Sequence, residues 1–123
     1  MGKTALIVDD SPTMRQMVAF TLTNAGFTVI EAQDGKDAVN KVAGGGKMDV
    51  VVTDLNMPEM DGIALIKELR KLSAFRFTPI LMLTTEAAAE KKQAGKEAGA
   101  TGWIVKPFNP EILLKTIARV LPA

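Results

Sequence analysis

Apolar residues follow two alternating patterns along this chain. Five short runs, rich in β-branched residues and mostly apolar throughout, have the length of buried strands. Between them lie longer segments in which apolar residues recur at helical spacing. The alternation predicts strands at residues 4–9, 27–32, 48–54, 79–84 and 101–106, each followed by a helix.

Local signals mark where several of these helices begin and end. The first helix contains Met14 and stops at Gly26, a natural position for a left-handed cap. The last helix opens with Asn109 as a candidate N-cap and Pro110 at the first helical position. Further helices are predicted at 36–43, 63–69 and 87–98, and a glycine loop at 44–46.

Strict alternation of strands and helices is typical of a parallel sheet with helices on both faces, because each parallel strand pair needs a right-handed crossover. The predicted fold is α/β: a doubly wound, five-stranded parallel sheet with five helices, arranged as a three-layer sandwich. A length of 123 residues suits one hydrophobic core. We therefore expect a single domain over residues 1–123.

Composition excludes several classes of function. Fifteen basic and fourteen acidic residues give a net charge of +1, which argues against nucleic-acid or membrane binding. The absence of cysteine and histidine removes thiolate chemistry, zinc centres and the serine triad. No apolar run approaches the roughly 18 residues of a membrane span, and "MGKT" does not resemble a signal peptide. The expected compartment is the cytoplasm.

Polar side chains stand where four of the predicted strands end. The first strand ends in Asp9 and Asp10, the third in Asp54, the fourth in Thr84 and the fifth in Lys106. In doubly wound sheets ligands bind beyond the carboxyl ends of the strands, so these residues are expected to converge at one edge. The sequence thus predicts a site built from carboxylates, a hydroxyl and an ammonium group.

Such a cluster of carboxylates favours a bound cation. Neighbouring carboxylates raise one another's pKa unless a positive charge neutralises them. With oxygen donors alone available, Mg²⁺ fits best, because it binds one or two carboxylates and leaves positions for phosphate oxygens. One carboxylate is then a candidate nucleophile toward a phosphoryl group, with Lys106 absorbing charge.

Four segments carry a family resemblance. In chain order, "LIVDDS", "VVVTDLNMPEMDG", "ILMLTTE" and "GWIVKPF" resemble the four signatures of the two-component response-regulator receiver domain, with that family's spacing, over the whole chain. The resemblance implies a flavodoxin-like (CheY-like) fold. "MLTTE" and the connection "RKLSAFRFTP" are similar to the stand-alone, CheY-type chemotaxis regulators in particular.

The resemblance assigns roles at the strand ends. It makes Asp54 the phosphoacceptor and Asp10 a direct Mg²⁺ ligand, with Asp9 acting largely through water. Asn56 would offer its backbone carbonyl to the metal. Lys106 would pair with the phosphoryl group.

It also implies a switch. The Thr84 hydroxyl would donate to the phosphoryl group, and the aromatic residue of the fifth strand, here Trp103 instead of the family's usual tyrosine or phenylalanine, would respond by repacking. The larger indole is expected to lie outward before activation, because its N–H must keep a partner or stay in water. The Lys106–Pro107 peptide is expected to be cis.

Three neighbours of the acceptor receive supporting roles from the same resemblance. Gly62 would allow a tight turn beside Asp54. Asn56 and Glu86, each two residues beyond a site residue, would flank the path of the water that hydrolyses the phosphoryl group. Both are small or polar enough to admit water, so a short phosphoryl lifetime is expected.

The implied function is a signalling switch whose catalysis is limited to its own phosphorylation and dephosphorylation. A histidine kinase of the chemotaxis type would phosphorylate it. A target such as a flagellar motor switch component would bind the fourth helix, fifth strand and fifth helix. A phosphatase is a further candidate partner, and a monomer is expected.

The sequence fits other classes of function less well. A magnesium phosphohydrolase with an aspartyl nucleophile typically has a second aspartate two residues later, where this chain has Asn56. A phosphate-binding loop at "AGGGKM" fails, because Lys41 and Met48 replace the glycine and hydroxyl residue it needs. A phosphate sink or relay receiver in another two-component pathway remains open, because its chemistry would be identical. By itself, the pair Asp9 and Asp10 would also suit helix capping.

Overall fold

The computed structural model describes residues 2–45 and 47–121. Met1, Gly46, Pro122 and Ala123 lie outside the described residues. Gly46 is the third glycine of the loop predicted at 44–46, and the other three stand at the ends of the domain expected over residues 1–123. The strands are β1 (Thr4–Val8), β2 (Thr28–Ala32), β3 (Val50–Thr53), β4 (Ile80–Thr84) and β5 (Gly102–Val105). The helices are α1 (Pro12–Asn24), α2 (Gly35–Val42), α3 (Gly62–Arg70), α4 (Ala89–Ala98) and α5 (Pro110–Val120), with a 3₁₀ turn at Ser73–Phe75.

The five strands form one parallel sheet in the order β2-β1-β3-β4-β5. The chain moves outward from β1 in both directions, so the sheet is doubly wound, as predicted. β1 and β3 lie at the point where the order reverses, and in such sheets the crevice beyond that point is the usual place for a ligand.

Two hydrophobic layers cover the faces of the sheet. Alternate strand residues such as Leu6 and Val51 pack against α2 and α3, together with buried Leu65. The opposite alternation, including Ile7 and Val52, packs against α1 and α5. Successive residues of a strand point to opposite faces of the sheet. Because helices cover both faces, both sides of the central strands are buried.

Helix boundaries follow the predicted capping signals. Gly26 has a left-handed φ of 98° just beyond α1. The Asn109 side chain accepts hydrogen bonds from the backbone N–H groups of Glu111 and Ile112 at the start of α5. Both predictions are confirmed. None of the helices within the described residues has the length and apolarity needed to cross a membrane.

The structure differs from the sequence prediction in detail. β1, β3 and β5 end one residue early, at Val8, Thr53 and Val105, so the charged residues occupy the first position beyond each strand. The 3₁₀ turn was not predicted. It forms because Phe75 is buried in the core below α3, which draws that connection inward.

Candidate functional site

The residues predicted at the strand ends do converge at one edge of the sheet. One carboxylate oxygen from each of Asp9, Asp10 and Asp54 lies within 4.8 Å of the others. The Lys106 ammonium group lies 3.1 Å from Asp9 Oδ2 and 3.5 Å from Asp54 Oδ2. The Lys106–Pro107 peptide that follows β5 is cis, as expected.

The two adjacent aspartates have different surroundings. Asp9 is buried, and both its oxygens are engaged: Oδ1 accepts from the Ser11 N–H at 2.9 Å, and Oδ2 accepts from Lys106. Asp10 is exposed, and no donor in the described part of the chain hydrogen-bonds its carboxylate. The capping alternative is wrong for both aspartates, because Ser11 is the N-cap of α1 and Asp9 only accepts from the Ser11 N–H. Asp10 is available to an external ligand.

Asp54 is a buried carboxylate whose charge is poorly solvated. Burial raises its pKa above the ordinary value, Lys106 opposes this, and the neighbouring Asp9 charge adds to it. Hydrogen bonds from the Leu55 N–H, at 2.8 Å, and the Thr84 side chain also lower the pKa, but the net direction is upward. The anion is therefore less stable here than in water.

The donor set fits a hard divalent cation. Its members are carboxylate oxygens from two strand ends, and the described part of the site contains no sulfur or imidazole ligand. Three carboxylates face one ammonium group, which leaves an excess of negative charge. Mg²⁺ prefers such oxygen ligands and tolerates a partly open site, so the residues present suit that ion.

A hydrogen-bonded connection runs from the site to the fifth strand. Thr84 is fully buried, and its hydroxyl accepts from the Glu86 N–H at 3.3 Å. The indole N–H of Trp103 donates to the Glu86 carbonyl at 2.9 Å. The backbone of Glu86 therefore joins the site hydroxyl to the indole. Sequence reasoning anticipated that the indole would need a partner but not which one.

The large indole is accommodated by a glycine in α4. Trp103 is half-buried, and a Cβ at Gly95 would lie 2.7 Å from its Cζ3 atom. Gly95 is the one fully buried residue of α4. A glycine inside a predicted helix was the available sequence signal, because glycine there costs about 1 kcal/mol relative to alanine and implies a packing reason.

Gly62 has a different role from the one expected. It is the first residue of α3 and has no positive φ. A Cβ there would overlap the Asp54 carbonyl oxygen and lie 2.9 Å from Met82 Sδ. Close approach of the helix to the Asp54 backbone therefore requires glycine. In the loop between β3 and α3, the residue in the left-handed region is Glu59, with φ 66°, which sequence reasoning missed.

The two proposed lifetime residues lie near the site in different settings. Asn56 is exposed, two residues beyond Asp54. The Glu86 carboxylate accepts from the Ala88 N–H at 3.1 Å, so it also supports the start of α4, whose N-cap residue supplies no side-chain bond. Their effect on hydrolysis stays a prediction.

Comparisons with known proteins agree with this geometry. Residues 5–118 match the response regulator receiver domain model. The chain is 41% identical over 117 residues to the chemotaxis protein CheY1 of Helicobacter pylori, covering 94% of each protein. It is 39% identical to the chemotaxis protein CheY homolog of Campylobacter jejuni, covering 94% of this chain and 90% of that protein. The solved structure of Vibrio cholerae chemotaxis protein CheY4 superposes with a TM-score of 0.94 at 54% identity, covering 98% of this chain and 100% of that one.

Proposed function

Because the chain belongs to the response regulator receiver family, of the CheY type, we propose that it is a switch phosphorylated on Asp54 by a histidine kinase. In this reaction the N–P bond of a phosphohistidine breaks and an O–P bond to the Asp54 carboxylate forms. The other ring nitrogen of the phosphohistidine carries a proton, so the imidazole leaves as the neutral base, and the product is an acyl phosphate. The observation that carries the proposal is the buried Asp54 carboxylate beside Lys106 and the other two aspartates.

The protein groups around Asp54 fit this chemistry. Desolvation raises the pKa of Asp54, which increases its basicity and so favours attack on phosphorus. Lys106 lies against both Asp9 and Asp54, so its ammonium group can follow negative charge onto the transferred phosphoryl oxygens. Asp9 holds Lys106 in place, since its Oδ2 accepts the shorter bond.

Mg²⁺ is the proposed cofactor. When bound, it neutralises the carboxylates and the developing charge on the phosphoryl oxygens. Asp10 and Asp54 would hold it directly together with the Asn56 backbone carbonyl. Asp9 would act through water, which agrees with the full use of both its oxygens by protein donors.

Phosphorylation is proposed to reach the surface through Glu86. A Thr84 hydroxyl that turns to donate to a phosphoryl oxygen gives up the geometry in which it accepts from the Glu86 N–H. That change loosens the segment whose carbonyl accepts from Trp103. The bistable element is the connection between β4 and α4, and the indole carries its state to the output face.

The proposed output face consists of α4, β5 and α5. Val105 and Ile112 expose apolar side chains there. A cavity of about 220 Å³ beside Trp103 is lined by Lys92 and Lys96. This combination of apolar surface and positive charge favours a partner segment that is acidic and partly apolar. A flagellar motor switch component is the proposed target, by analogy with the chemotaxis relatives.

Radiolabelled phosphoryl transfer from a phosphorylated kinase tests the acceptor. Asp54→Asn should abolish acid-stable, base-labile labelling while the far-ultraviolet circular dichroism stays native. Asp37→Asn is the matched control, because Asp37 lies on α2 outside the site, and it should label normally. Full labelling of Asp54→Asn would show that the acceptor is another residue.

Capture of partners from cell extract, with and without beryllium fluoride, tests the target. Recovery of a motor switch component only with the mimic supports the chemotaxis role, and recovery of a second phosphotransfer protein instead supports a phosphate sink or relay. A phosphatase is also expected among the captured proteins. The protein is also proposed to be cytoplasmic. It is further proposed to be a monomer, which size-exclusion chromatography tests.

A further inference from the structure

Arg15 connects the acidic cluster to two other parts of the fold. It lies in the first turns of α1, and its side chain is only 18% exposed. Its Nη1 group donates to the Asp9 backbone carbonyl at 2.7 Å. Its Nε group donates to the Glu31 carboxylate on β2 at 3.2 Å. One guanidinium group therefore joins the end of β1, the start of α1 and the neighbouring strand.

These bonds fix the peptide that precedes Asp10. The Asp9 N–H donates to the Ala32 carbonyl at 3.2 Å, and the Asp9 carbonyl accepts from Arg15. The Asp9 carbonyl shares a rigid peptide plane with the Asp10 nitrogen, so its direction sets where the Asp10 Cα lies. No protein donor in the described residues holds the Asp10 carboxylate itself. Its position therefore depends on this backbone.

We propose that Arg15 is a positioning residue that presets Asp10 for a divalent cation. The inference rests on the proposed magnesium site and adds a residue that touches neither the metal nor the phosphoryl group. It acts through the planar geometry of guanidinium, which donates in two directions at once, to a carbonyl and to a carboxylate. Lysine carries the same charge but lacks this fixed pair of donors.

A purely electrostatic account predicts the opposite result. Arg15 places a positive charge near a site that binds a cation, so its removal should strengthen Mg²⁺ binding if charge alone mattered. Its partner Glu31 is 42% exposed and would then add an unpaired negative charge. If Arg15 instead positions Asp10, its removal should weaken Mg²⁺ binding even though a nearby positive charge is lost. The sign of the change therefore separates the two accounts.

The test is a titration of each protein with MgCl₂, followed by the backbone amide NMR shifts. Arg15→Met should weaken Mg²⁺ binding roughly tenfold, the lower end of the range for residues that orient a metal ligand. Arg15→Lys should weaken it by several-fold although charge is conserved. Arg119→Lys on α5 is the matched control, because Arg119 is exposed, and it should leave the affinity unchanged. Thermal unfolding without Mg²⁺ measures any loss of stability separately.

Two further variants keep the outcomes distinct. Asp10→Ala should abolish saturable binding, whereas Glu31→Gln, which leaves the Arg15 bond to Asp9 available, should have a smaller effect than Arg15→Met. Unchanged or tighter binding in both Arg15 variants would overturn the positioning role and leave the magnesium site intact. Absence of saturable binding in the unmodified protein would overturn the magnesium site, and this inference with it.

Discussion

Two regions of the molecule are built in contrasting ways. One is the acceptor edge, the edge of the sheet that holds Asp9, Thr84 and the proposed acceptor Asp54, and the other is the surface formed by α4 and β5. At the acceptor edge Asp9, Asp54 and Thr84 are buried, and each has a hydrogen-bond partner in the protein. In α4 only Gly95 is fully buried, and no side chain of the N-cap residue supports the first turn. One region is buried, hydrogen-bonded and highly charged, whereas the other is a mostly exposed helix with one buried residue.

This contrast suggests how a small chemical change produces a larger structural one. Little movement is expected at the acceptor edge itself, because its groups are held by backbone hydrogen bonds and ion pairs. At the end of α4 nearest to Glu86, the N-cap Ala88 supplies no side-chain hydrogen bond, and the Glu86 carboxylate accepts from the Ala88 N–H. The far end of α4 is anchored, because the Gly99 carbonyl accepts from Arg70 Nη2 at 2.8 Å. Movement is therefore expected at the Ala88 end of α4.

The largest difference between the regions is expected from matched glycine substitutions. Gly62→Ala places a methyl group against the Asp54 backbone, which cannot move, and should lower the free energy of unfolding by about 3 kcal/mol. Gly95→Ala meets only the edge of an indole. There the gain in helix propensity offsets the strain, so stability should change by less than about 1 kcal/mol.

Urea denaturation of both variants measures this contrast. Gly44→Ala controls for loss of glycine as such, since a Cβ at that position meets nothing within 4 Å. Equal destabilisation by Gly62→Ala and Gly95→Ala would show that the α4 surface is as rigid as the acceptor edge.

The charge at the acceptor edge should also make the stability of the fold depend on pH. Because the pKa of Asp54 is raised in the folded state, the fold binds this proton more tightly than the unfolded chain does. Stability contributed by the protonated form is fully present below the ordinary value of 3.8 and is lost as the pH rises through the raised pKa of the folded state. Asparagine does not ionise, so Asp54→Asn avoids the stability that is lost when the buried carboxyl group ionises. Lys106 keeps its bond to Asp9 in this variant.

Without Mg²⁺ at neutral pH, Asp54→Asn should therefore raise the unfolding temperature by a few degrees. The advantage should shrink as the pH is lowered toward 3.8. Differential scanning calorimetry across this range measures it. A variant less stable than the parent at neutral pH would mean that Lys106 outweighs desolvation at this site.

Hydrolysis of the acyl phosphate should depend on the rim of the site. Replacing Asn56 by methionine covers the exposed side of the acceptor with apolar atoms and should slow phosphoryl loss several-fold. Glu86→Met should also slow it, but it removes the bond to the Ala88 N–H and so disturbs α4 as well. Decay of radiolabel after removal of the kinase gives both rates, and unchanged decay would place the water path elsewhere.

The smallest effect is expected at Trp103, where the two regions meet. Trp103 is the one tryptophan in the chain and there is no tyrosine, so emission excited at long wavelength reports this site. Beryllium fluoride with Mg²⁺ should shift the emission, and Thr84→Ala should largely suppress the shift by removing the hydroxyl that bonds Glu86. Trp103→Ala should weaken target binding without preventing phosphorylation of Asp54.

An unchanged emission on binding of the mimic would make Trp103 a static packing residue. Thr101→Ala is a suitable control, because this threonine bonds the Ile80 N–H at the opposite end of β4 and should leave the shift intact.

Much of the fold followed from local patterns. The alternation of apolar runs with helical periods is sufficient to predict a parallel sheet with helices on both faces, because parallel strands need right-handed crossovers. The strand order β2-β1-β3-β4-β5 is known from the structure alone. Residues such as Asp9, Asp54 and Lys106 could be placed at one edge for the same reason, since each follows the end of its strand. The signature segments then supplied the family and the expected roles.

What the sequence could not determine depends on distances between segments far apart in the chain. Adjacent aspartates look alike in sequence, yet burial and Lys106 engage Asp9 while Asp10 stays open, because only the packed sheet brings residue 106 beside residue 9. Likewise, Gly62 lies against the Asp54 backbone and Gly95 lies against the Trp103 indole. Periodicity records which face a residue occupies, whereas close contact across elements exists only once the chain has folded.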